Sequence, residues 1–462
     1  MWFLDRLAPG NPAYVLSVSV RLTGPLDTDA LQGAVDEVVR RHEALRTAIV
    51  LRDGRTEQVV RDADDCRVAI RIEDLTALPA DCREEQARAL TRKEIETGFD
   101  LSRAPVMRVL LVRIDQEHHL LTICLHHILS DERSLTIVLS EVLDGYQRIR
   151  RGGGAPPEPP VQYPDYVVWR AGILDDAAVE RQRRFWSEQL AGVPGLLALP
   201  TDRPRPRAQT FPGATYRFPL SEDLTAAVDN LTSRTGCTRF VVVMTALQVL
   251  LSRWSGQTDV CVGTPVSTRS RPELQSVVGL MVNSLPVRVD LSGDPTLEEA
   301  LQRVRRACAG SLDHTDLPLS ELVELAGLPR DLGHNPLFQT MCVLNPVVPA
   351  SKWDELSVQP VGFGRETSRL DLTLMIYDSR PALTGVIDYN TDLFDRSTIE
   401  RFAERYQLVL RALTAEPERR LSQLDLRTAD EPRELAEWNS TDRDYPPVTG
   451  LHALIRAQRE TT

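Results

Sequence analysis

Apolar side chains recur with two different periods along the first 150 residues of the chain. Tyr14–Thr23 alternates apolar and polar positions, which predicts a strand, and Thr28–Glu43 places its apolar positions at helical spacing. Two further strands, Val106–Ile114 and His118–Leu125, flank a polar turn and predict a hairpin. Ser134–Arg150 again has helical periodicity. Because strands and helices alternate, the pattern predicts an α/β fold.

The second half of the chain begins a new series of the same kind. It predicts an amphipathic helix over Leu220–Arg234, a turn at Gly236 and a long apolar helix over Phe240–Trp254. Strands are predicted further along, over Asp259–Pro265, Asp371–Tyr377 and Thr384–Tyr389.

The length of the chain and its linker-like stretches predict two lobes. A chain of 462 residues is too long for one ordinary core. The Gly- and Pro-rich stretch 151–160 is the clearest linker. We divide the chain into a first lobe over residues 1–170, a second lobe over residues 171–428 and a linker over residues 429–462. The end, Glu437–Thr462, has little apolar periodicity and is interpreted as a connector to a further domain.

Composition excludes several classes of protein. A net charge of −12 argues against nucleic acid as the main partner. The longest apolar run, Phe240–Leu251, is too short to span a membrane, and the first residues have no signal-peptide pattern. Seven scattered cysteines without a Cys-x-x-Cys pair indicate reduced thiols. These features predict a cytoplasmic protein that binds neither nucleic acid nor membranes.

A histidine pair at a strand-to-helix switch is the strongest candidate for chemistry. His126 and His127 follow the apolar run Leu120–Leu125, and Asp131 stands where the next helix begins. Neighbouring side chains on an extended segment point to opposite faces, so one histidine should face the reaction and the other should pack. No metal site is predicted, because no third ligand stands at suitable spacing. A second pair, His118-His119, follows a polar turn and is interpreted as exposed and without a role.

Motifs spread along nearly the whole chain resemble those of the condensation domains of nonribosomal peptide synthetases, in the family's order. The His-His-x-x-x-Asp motif is one of them, and the tail resembles the linker that leads into an adenylation domain. The matching segments are Trp2–Tyr14, Arg41–Thr47, His126–Asp131, Tyr163–Trp169, Phe185-Trp186, Leu190–Gly192, Val262–Arg269, Val282–Leu285, His314–Pro318, Arg330-Asp331, Asn335–Gln339 and Tyr389–Phe394, followed in the tail by Trp438, Tyr445-Pro446 and Leu451-His452.

The resemblance implies two lobes similar to chloramphenicol acetyltransferase, arranged as a V-shaped pseudo-dimer with an active-site tunnel between them. A donor acyl or peptidyl thioester would enter on the phosphopantetheine arm of an upstream carrier protein. An aminoacyl thioester would enter on the arm of a downstream carrier protein, and amide formation would release the upstream carrier. An adenylation domain would follow the linker. No cofactor is expected to bind the domain itself.

The resemblance also implies roles for individual residues. His127 is the expected catalytic residue, which orients the acceptor amine and accepts its proton. His126 is assigned to packing or local hydrogen bonding. Asp131 is expected to pair with Arg269 in a supporting role that directs His127 into the tunnel. Ser284 is a candidate near the floor of the active site, although its hydroxyl could equally satisfy local backbone.

The chain departs from the family after Asp131, where Glu132 replaces the usual glycine and Arg133 follows. Three interpretations remain open. Both side chains could be solvated or paired with their surroundings. They could narrow the acceptor side of the tunnel so that only a small amino acid fits. The domain could also have lost activity and serve as a docking scaffold.

The resemblance therefore predicts an elongation-type condensation domain of the subtype that takes an L-configured donor and acceptor. The alternatives are an inactive domain that docks or recruits carriers, and an epimerisation domain. A docking surface for an acidic carrier protein is a further hypothesis, with ordinary helix surface as its alternative. It comprises Arg148, Arg150, Arg151, Arg181, Arg183 and Arg184.

Overall fold

A computed structural model describes residues 1–7, 9–173, 175–329, 331–346, 351–353, 355–379, 381–442 and 450–460. Ala8, Arg330 and Tyr445-Pro446, which belong to the motifs above, lie outside these residues. The first half contains α1 (Trp2–Leu7), β1 (Val15–Thr23), α2 (Thr28–Arg41), β2 (Thr47–Arg52), β3 (Arg55–Val60), β4 (Ile70–Asp74), α3 (Ala80–Ile95), β5 (Met107–Arg113), β6 (His118–His126), α4 (Glu132–Arg150), α5 (Tyr163–Ile173) and α6 (Asp176–Leu190).

The second half contains a similar alternation of helices and strands. Its elements are β7 (Gly213–Pro219), α7 (Glu222–Thr235), α8 (Arg239–Ser255), β8 (Asp259–Ser267), β9 (Val282–Asp290), α9 (Leu297–Leu312), α10 (Leu319–Ala326), β10 (Thr340–Pro346), β11 (Ser351–Trp353), β12 (Leu356–Pro360), β13 (Leu372–Asp378), β14 (Thr384–Asn390), α11 (Arg396–Ala415), α12 (Glu431–Asn439) and α13 (Leu451–Glu460). The predicted α/β class is confirmed.

Two six-stranded sheets organise the molecule. The first has the strand order β11-β12-β1-β6-β5-β4, and the second has the order β7-β14-β13-β10-β8-β9. Apolar side chains of α2 and α4 pack against the first sheet. Those of α7, α8, α9 and α11 pack against the second. The predicted hairpin is present. Strands β5 and β6 pair antiparallel, with Met107 opposite Leu125 at one end and Arg113 opposite His119 at the other.

One segment from the second half of the chain completes the first sheet. Strand β12 pairs antiparallel with β1, from Val20 opposite Pro360 to Thr23 opposite Ser357. The division at residues 170 and 171 stays a prediction, and β11 and β12 of the second half belong to the first sheet. The same boundary also falls inside helix α5. A boundary drawn from linker composition cannot reveal such a crossing, because strand pairing is non-local.

One local expectation was wrong, and the tail contains a helix that the sequence did not predict. His119, interpreted as exposed, is buried at 2% exposure, because it lies in β6 between Leu22 of β1 and Arg113 of β5. The segment after Glu437 contains helix α13, which includes Leu451 and Ile455, and its role as a connector stays a prediction. Both of those side chains are exposed.

In the part of the chain that the structure describes, no single helix is long and apolar enough to cross a bilayer. Helices α7 and α8 reach that length and apolarity only as a pair, with a bend of 109° between them.

Candidate active site

His127 is fixed directly after the end of strand β6. Its backbone N–H donates to the carbonyl of Tyr14 at 2.8 Å. Its ring Nδ1 lies 2.8 Å from the carbonyl oxygen of Ser130. Because a carbonyl only accepts, Nδ1 carries the proton and Nε2 keeps a free lone pair. Burial, followed by the positive charge of Arg369, lowers the pKa of His127 to about 3. The imidazole is therefore neutral at physiological pH.

His126 is directed into the first lobe. The ring meets Phe99 edge-to-face with centroids 6.1 Å apart, and the residue is 2% exposed. Its Nδ1 accepts the backbone N–H of Ile128 at 3.1 Å. These contacts place His126 in packing and local hydrogen bonding, and its exclusion from the reaction remains a prediction.

The buried His126 makes stability depend on pH. Burial lowers its folded-state pKa to about 4, whereas the unfolded value is about 6.5. The unfolded state therefore takes up the proton first, and stability present above pH 6.5 is lost as the pH falls toward 4. From pH 7 to 5 this group should remove about 1–2 kcal/mol of the free energy of unfolding. Urea denaturation at both pH values should show a smaller loss in His126→Gln. An equal loss in both proteins would contradict the prediction.

Asp131 joins the two lobes through a buried network. Its Oδ2 accepts Nη1 of Arg269 at 2.7 Å and the backbone N–H of Met281 at 3.0 Å. Its Oδ1 accepts Nη2 of Arg269 at 3.0 Å, as well as the backbone N–H and hydroxyl of Ser134 at 2.8 and 2.7 Å. The Ser134 bond caps helix α4, since Asp131 is its N-cap residue. One carboxylate thus orients both the helix after His127 and a loop of the second lobe.

The backbone of Gly279, in the second lobe, lies directly against the aromatic ring of Tyr163 and contacts the same buried network. A Cβ atom on Gly279 would lie 2.1 Å from the ring of Tyr163, so only glycine fits. The hydroxyl oxygen of Ser134 lies 2.9 Å from the carbonyl oxygen of Gly279. The core aromatic Tyr166 is buried and also donates its hydroxyl to Thr268 at 2.7 Å. Trp169 is partly buried against the same cluster. Helix α5 therefore packs on the loop that carries Arg269.

Glu132 and Arg133 are both exposed at the start of helix α4. Oε1 of Glu132 lies 3.4 Å from Nη2 of Arg365, which belongs to the segment before β13 in the second lobe. The Glu132 side chain is 66% exposed, so this ion pair contributes little to stability. It nevertheless brings a carboxylate and a guanidinium together across the lobe boundary. Sequence reasoning did not identify Arg365, which lies 233 residues from Glu132.

Ser284 lies on β9 and takes no part in the contacts that fix His127. Its backbone N–H donates to Oδ1 of Asn283 at 2.9 Å. The amide of Asn283 donates in turn to the carbonyls of Thr315 and Leu317. None of the contacts described for Ser284 reaches His127 or Asp131. A role for Ser284 at the floor of the site therefore stays a prediction.

Five of the six arginines that the sequence groups lie on helices α4 and α6, and Arg151 directly follows α4. Arg148 and Arg150, at the end of α4, form ion pairs with Glu37 and Glu355. Arg183, on α6, forms an ion pair with Glu321 at 2.6 Å. Arg181 and Arg184 of α6 form no ion pair among the described residues, and the docking surface as a whole stays a prediction. In the same part of the chain, no three His, Cys, Asp or Glu side chains are grouped to hold a metal.

Solved structures share the architecture of this chain. The X-domain in a complex with OxyB from teicoplanin biosynthesis is 29% identical with a TM-score of 0.83, and the alignment covers 93% of this chain and 94% of that one. A four-domain nonribosomal peptide synthetase bound to AMP and glycine has a TM-score of 0.82 at 24% identity, covering 93% of this chain and 33% of that one. The predicted fold of two chloramphenicol-acetyltransferase-like lobes is confirmed.

The family follows from sequence comparison. The Condensation domain model matches residues 1–436, and this chain belongs to that family. A linear gramicidin synthase of Brevibacillus parabrevis is 37% identical over 99% of this chain. Phosphinothricin tripeptide synthetase PhsC of Streptomyces viridochromogenes is 36% identical over 96%. The chain spans 9% of the first relative and 41% of the second.

Proposed function

We propose that this domain forms an amide bond between a carrier-bound donor thioester and the α-amine of a carrier-bound aminoacyl thioester. The orientation of His127 is the observation that carries the proposal. Its Nδ1 proton is held by Ser130, so the Nε2 lone pair is available to a substrate N–H. The buried Asp131–Arg269 network fixes the adjoining helix and both lobes around this position.

The chemistry requires orientation more than base strength. An α-amine has a pKa of about 7.7–8, so producing its neutral form at pH 7 costs only about 1 kcal/mol. The neutral amine attacks the thioester carbon, and Nε2 of His127 accepts the proton as the tetrahedral adduct forms. Collapse of the adduct breaks the carbon–sulfur bond and releases the upstream thiolate, which regains a proton. A weakly basic imidazole returns that proton readily.

The proposed partners follow from membership in this family. An upstream carrier protein would supply the donor and a downstream carrier protein the acceptor, each on its phosphopantetheine arm. The tail would lead to an adenylation domain, and the reaction would take place in the cytoplasm. The opening motif supports the L-donor, L-acceptor elongation subtype.

A second candidate function is a carrier-docking or recruiting scaffold without condensation activity. The contact of Glu132 with Arg365 favours it, because this ion pair joins the two lobes at the start of the helix that follows His127. The likeness to an X-domain, whose structure includes OxyB, adds to this alternative.

Amide formation followed by mass spectrometry separates the two functions. The protein would be mixed with a donor-loaded upstream carrier and with a glycyl- or leucyl-loaded downstream carrier. A condensation domain should yield an amide product on the downstream carrier. Carrier binding without product from either acceptor would reject the proposal and favour the scaffold.

Arg133 and Glu132 provide a test of acceptor width. If Arg133 narrows the tunnel, Arg133→Gly should raise the ratio of leucyl to glycyl turnover by about 10-fold. This is the usual change in discrimination when a pocket gains room for one or two methylene groups. Glu132→Gly is the matched variant that removes the Arg365 contact instead. Competition between the two loaded carriers measures the ratio. An unchanged ratio in both variants would reject a narrowed tunnel. It would favour the interpretation that Glu132 and Arg133 are simply solvated or paired with their surroundings.

A further inference from the structure

Arg369 projects from a rigid part of the second lobe. Its carbonyl oxygen accepts the side-chain amides of Gln209 at 2.7 Å and Asn335 at 2.8 Å. Its neighbours along the chain, Ser368 and Leu370, are both buried. The backbone that directs the guanidinium is therefore fixed on both sides.

The side chain of Arg369 crosses the lobe boundary toward His127. Its guanidinium carbon lies 5.8 Å from the ring centroid of Tyr14. The carbonyl of Tyr14 accepts the backbone N–H of His127. Arg369 is also the nearby charge that most lowers the pKa of His127, after burial. The cation thus lies in the electrostatic surroundings of the imidazole.

Arg369 differs from the other half-buried arginines of the second lobe. Among the described residues, its side chain forms no ion pair and no hydrogen bond. Burial and the nearby Arg365 lower its pKa to about 10, as expected for a poorly compensated cation. Several of those arginines are paired with a carboxylate, among them Arg205 with Asp371, Arg239 with Asp229 and Arg288 with Asp259.

The two carboxylates whose charges act on Arg369 are committed elsewhere. Glu132 contacts Arg365 rather than Arg369. Asp388 accepts the hydroxyl of Thr215 at 2.6 Å, and burial raises its pKa, which favours the neutral form. The N–H donors of the Arg369 guanidinium therefore have no hydrogen-bond acceptor among the described residues.

We propose that Arg369, with Arg365 beside it, binds the anionic side chain of an acidic aminoacyl thioester, so that this domain selects a carboxylate-bearing substrate. The inference rests on the proposed function, because it concerns the same tunnel. A guanidinium offers parallel N–H donors that match a carboxylate, and its half-buried position strengthens the interaction. The side-chain carboxylate of aspartate or glutamate lies only a few bonds from the carbonyl or amine that reacts near His127.

Matched acid and amide substrates test this selection. Aspartyl and asparaginyl residues, and glutamyl and glutaminyl residues, would be loaded first on the acceptor carrier and then as the donor residue. In one of these two positions, kcat/KM should favour the acid by about 10- to 100-fold, the usual effect of a charge-assisted hydrogen bond. Arg369→Gln should remove most of that preference. Arg306→Gln, a variant of an exposed arginine on helix α9, should keep it.

A binding measurement separates this inference from the proposed function. Calorimetric titration with aspartyl and asparaginyl amides of aminopantetheine requires no turnover. Tighter binding of the aspartyl compound that depends on Arg369 would support the inference even if no amide product forms. Equal affinity for acid and amide would overturn it, while product formation would still support condensation. Equal loss of acid and amide turnover in Arg369→Gln would also overturn it.

Discussion

His127→Ala should lower the rate of amide formation by about 10²- to 10⁴-fold, the range for loss of one acid–base group. The variant removes the Nε2 lone pair that orients the acceptor amine and accepts its proton. It leaves the buried Asp131–Arg269 network in place, so the protein should remain folded. Single-turnover transfer between loaded carriers, followed by mass spectrometry, measures the effect without a contribution from carrier reloading.

Two controls make this result specific. His118→Ala removes a partly exposed imidazole at the other end of β6, where it pairs with Asp115, and turnover should not change. Since the pKa of His127 is about 3, the wild-type rate between pH 6 and 9 should follow the amine, with a pKa of about 7.7–8, rather than the imidazole. Turnover by His127→Ala at the wild-type rate would reject His127 as the active residue.

Asp131→Ala should destabilise the protein by about 3–5 kcal/mol, the usual cost of removing one partner of a buried ion pair. The side chain of Arg269 is only 2% exposed, so its charge would remain buried without a carboxylate. The N-cap of helix α4 and an acceptor for the backbone of Met281 would disappear as well. Urea denaturation should show this loss, accompanied by lower soluble yield.

A double-mutant cycle and an exposed pair test the assignment. Asp131→Leu combined with Arg269→Met should cost less than the sum of the single variants, because no charge is then buried alone. Asp425→Ala removes a partner of the exposed Arg427 and should leave the denaturation midpoint unchanged. Normal denaturation of Asp131→Ala would show that the pair does not support the fold.

Local periodicity predicted most of the elements that surround the site. Helix α2, the β5–β6 hairpin and helix α8 each have a repeated apolar pattern that depends only on near neighbours in sequence. The same reasoning placed a histidine pair at the end of a strand and Asp131 at a helix start. Periodicity alone could not select Arg269 as the partner of Asp131, since 138 residues separate them. That pairing was expected only from the family resemblance.

The remaining features depend on contacts between distant segments. Arg365 and Arg369 stand in a stretch without a strong periodic pattern, and only the folded chain brings them to Glu132 and Tyr14. The hydroxyl of Ser134 was missed for a related reason, because a serine in a first helical turn usually suggests no more than a solvated position. Its contacts with Gly279 require the second lobe.

The strand crossing has a consequence for exchanging parts between related synthetases. A chimera joined at residue 170 would pair β1 of one parent with β12 of the other. The four residue pairs between these strands would then each combine residues of two different proteins. A fragment ending at residue 170 would lack β12 altogether and would leave the backbone groups of Val20–Thr23 open to strands of other molecules. Grafts that move residues 351–360 together with the first lobe preserve the native pairing of β1 with β12.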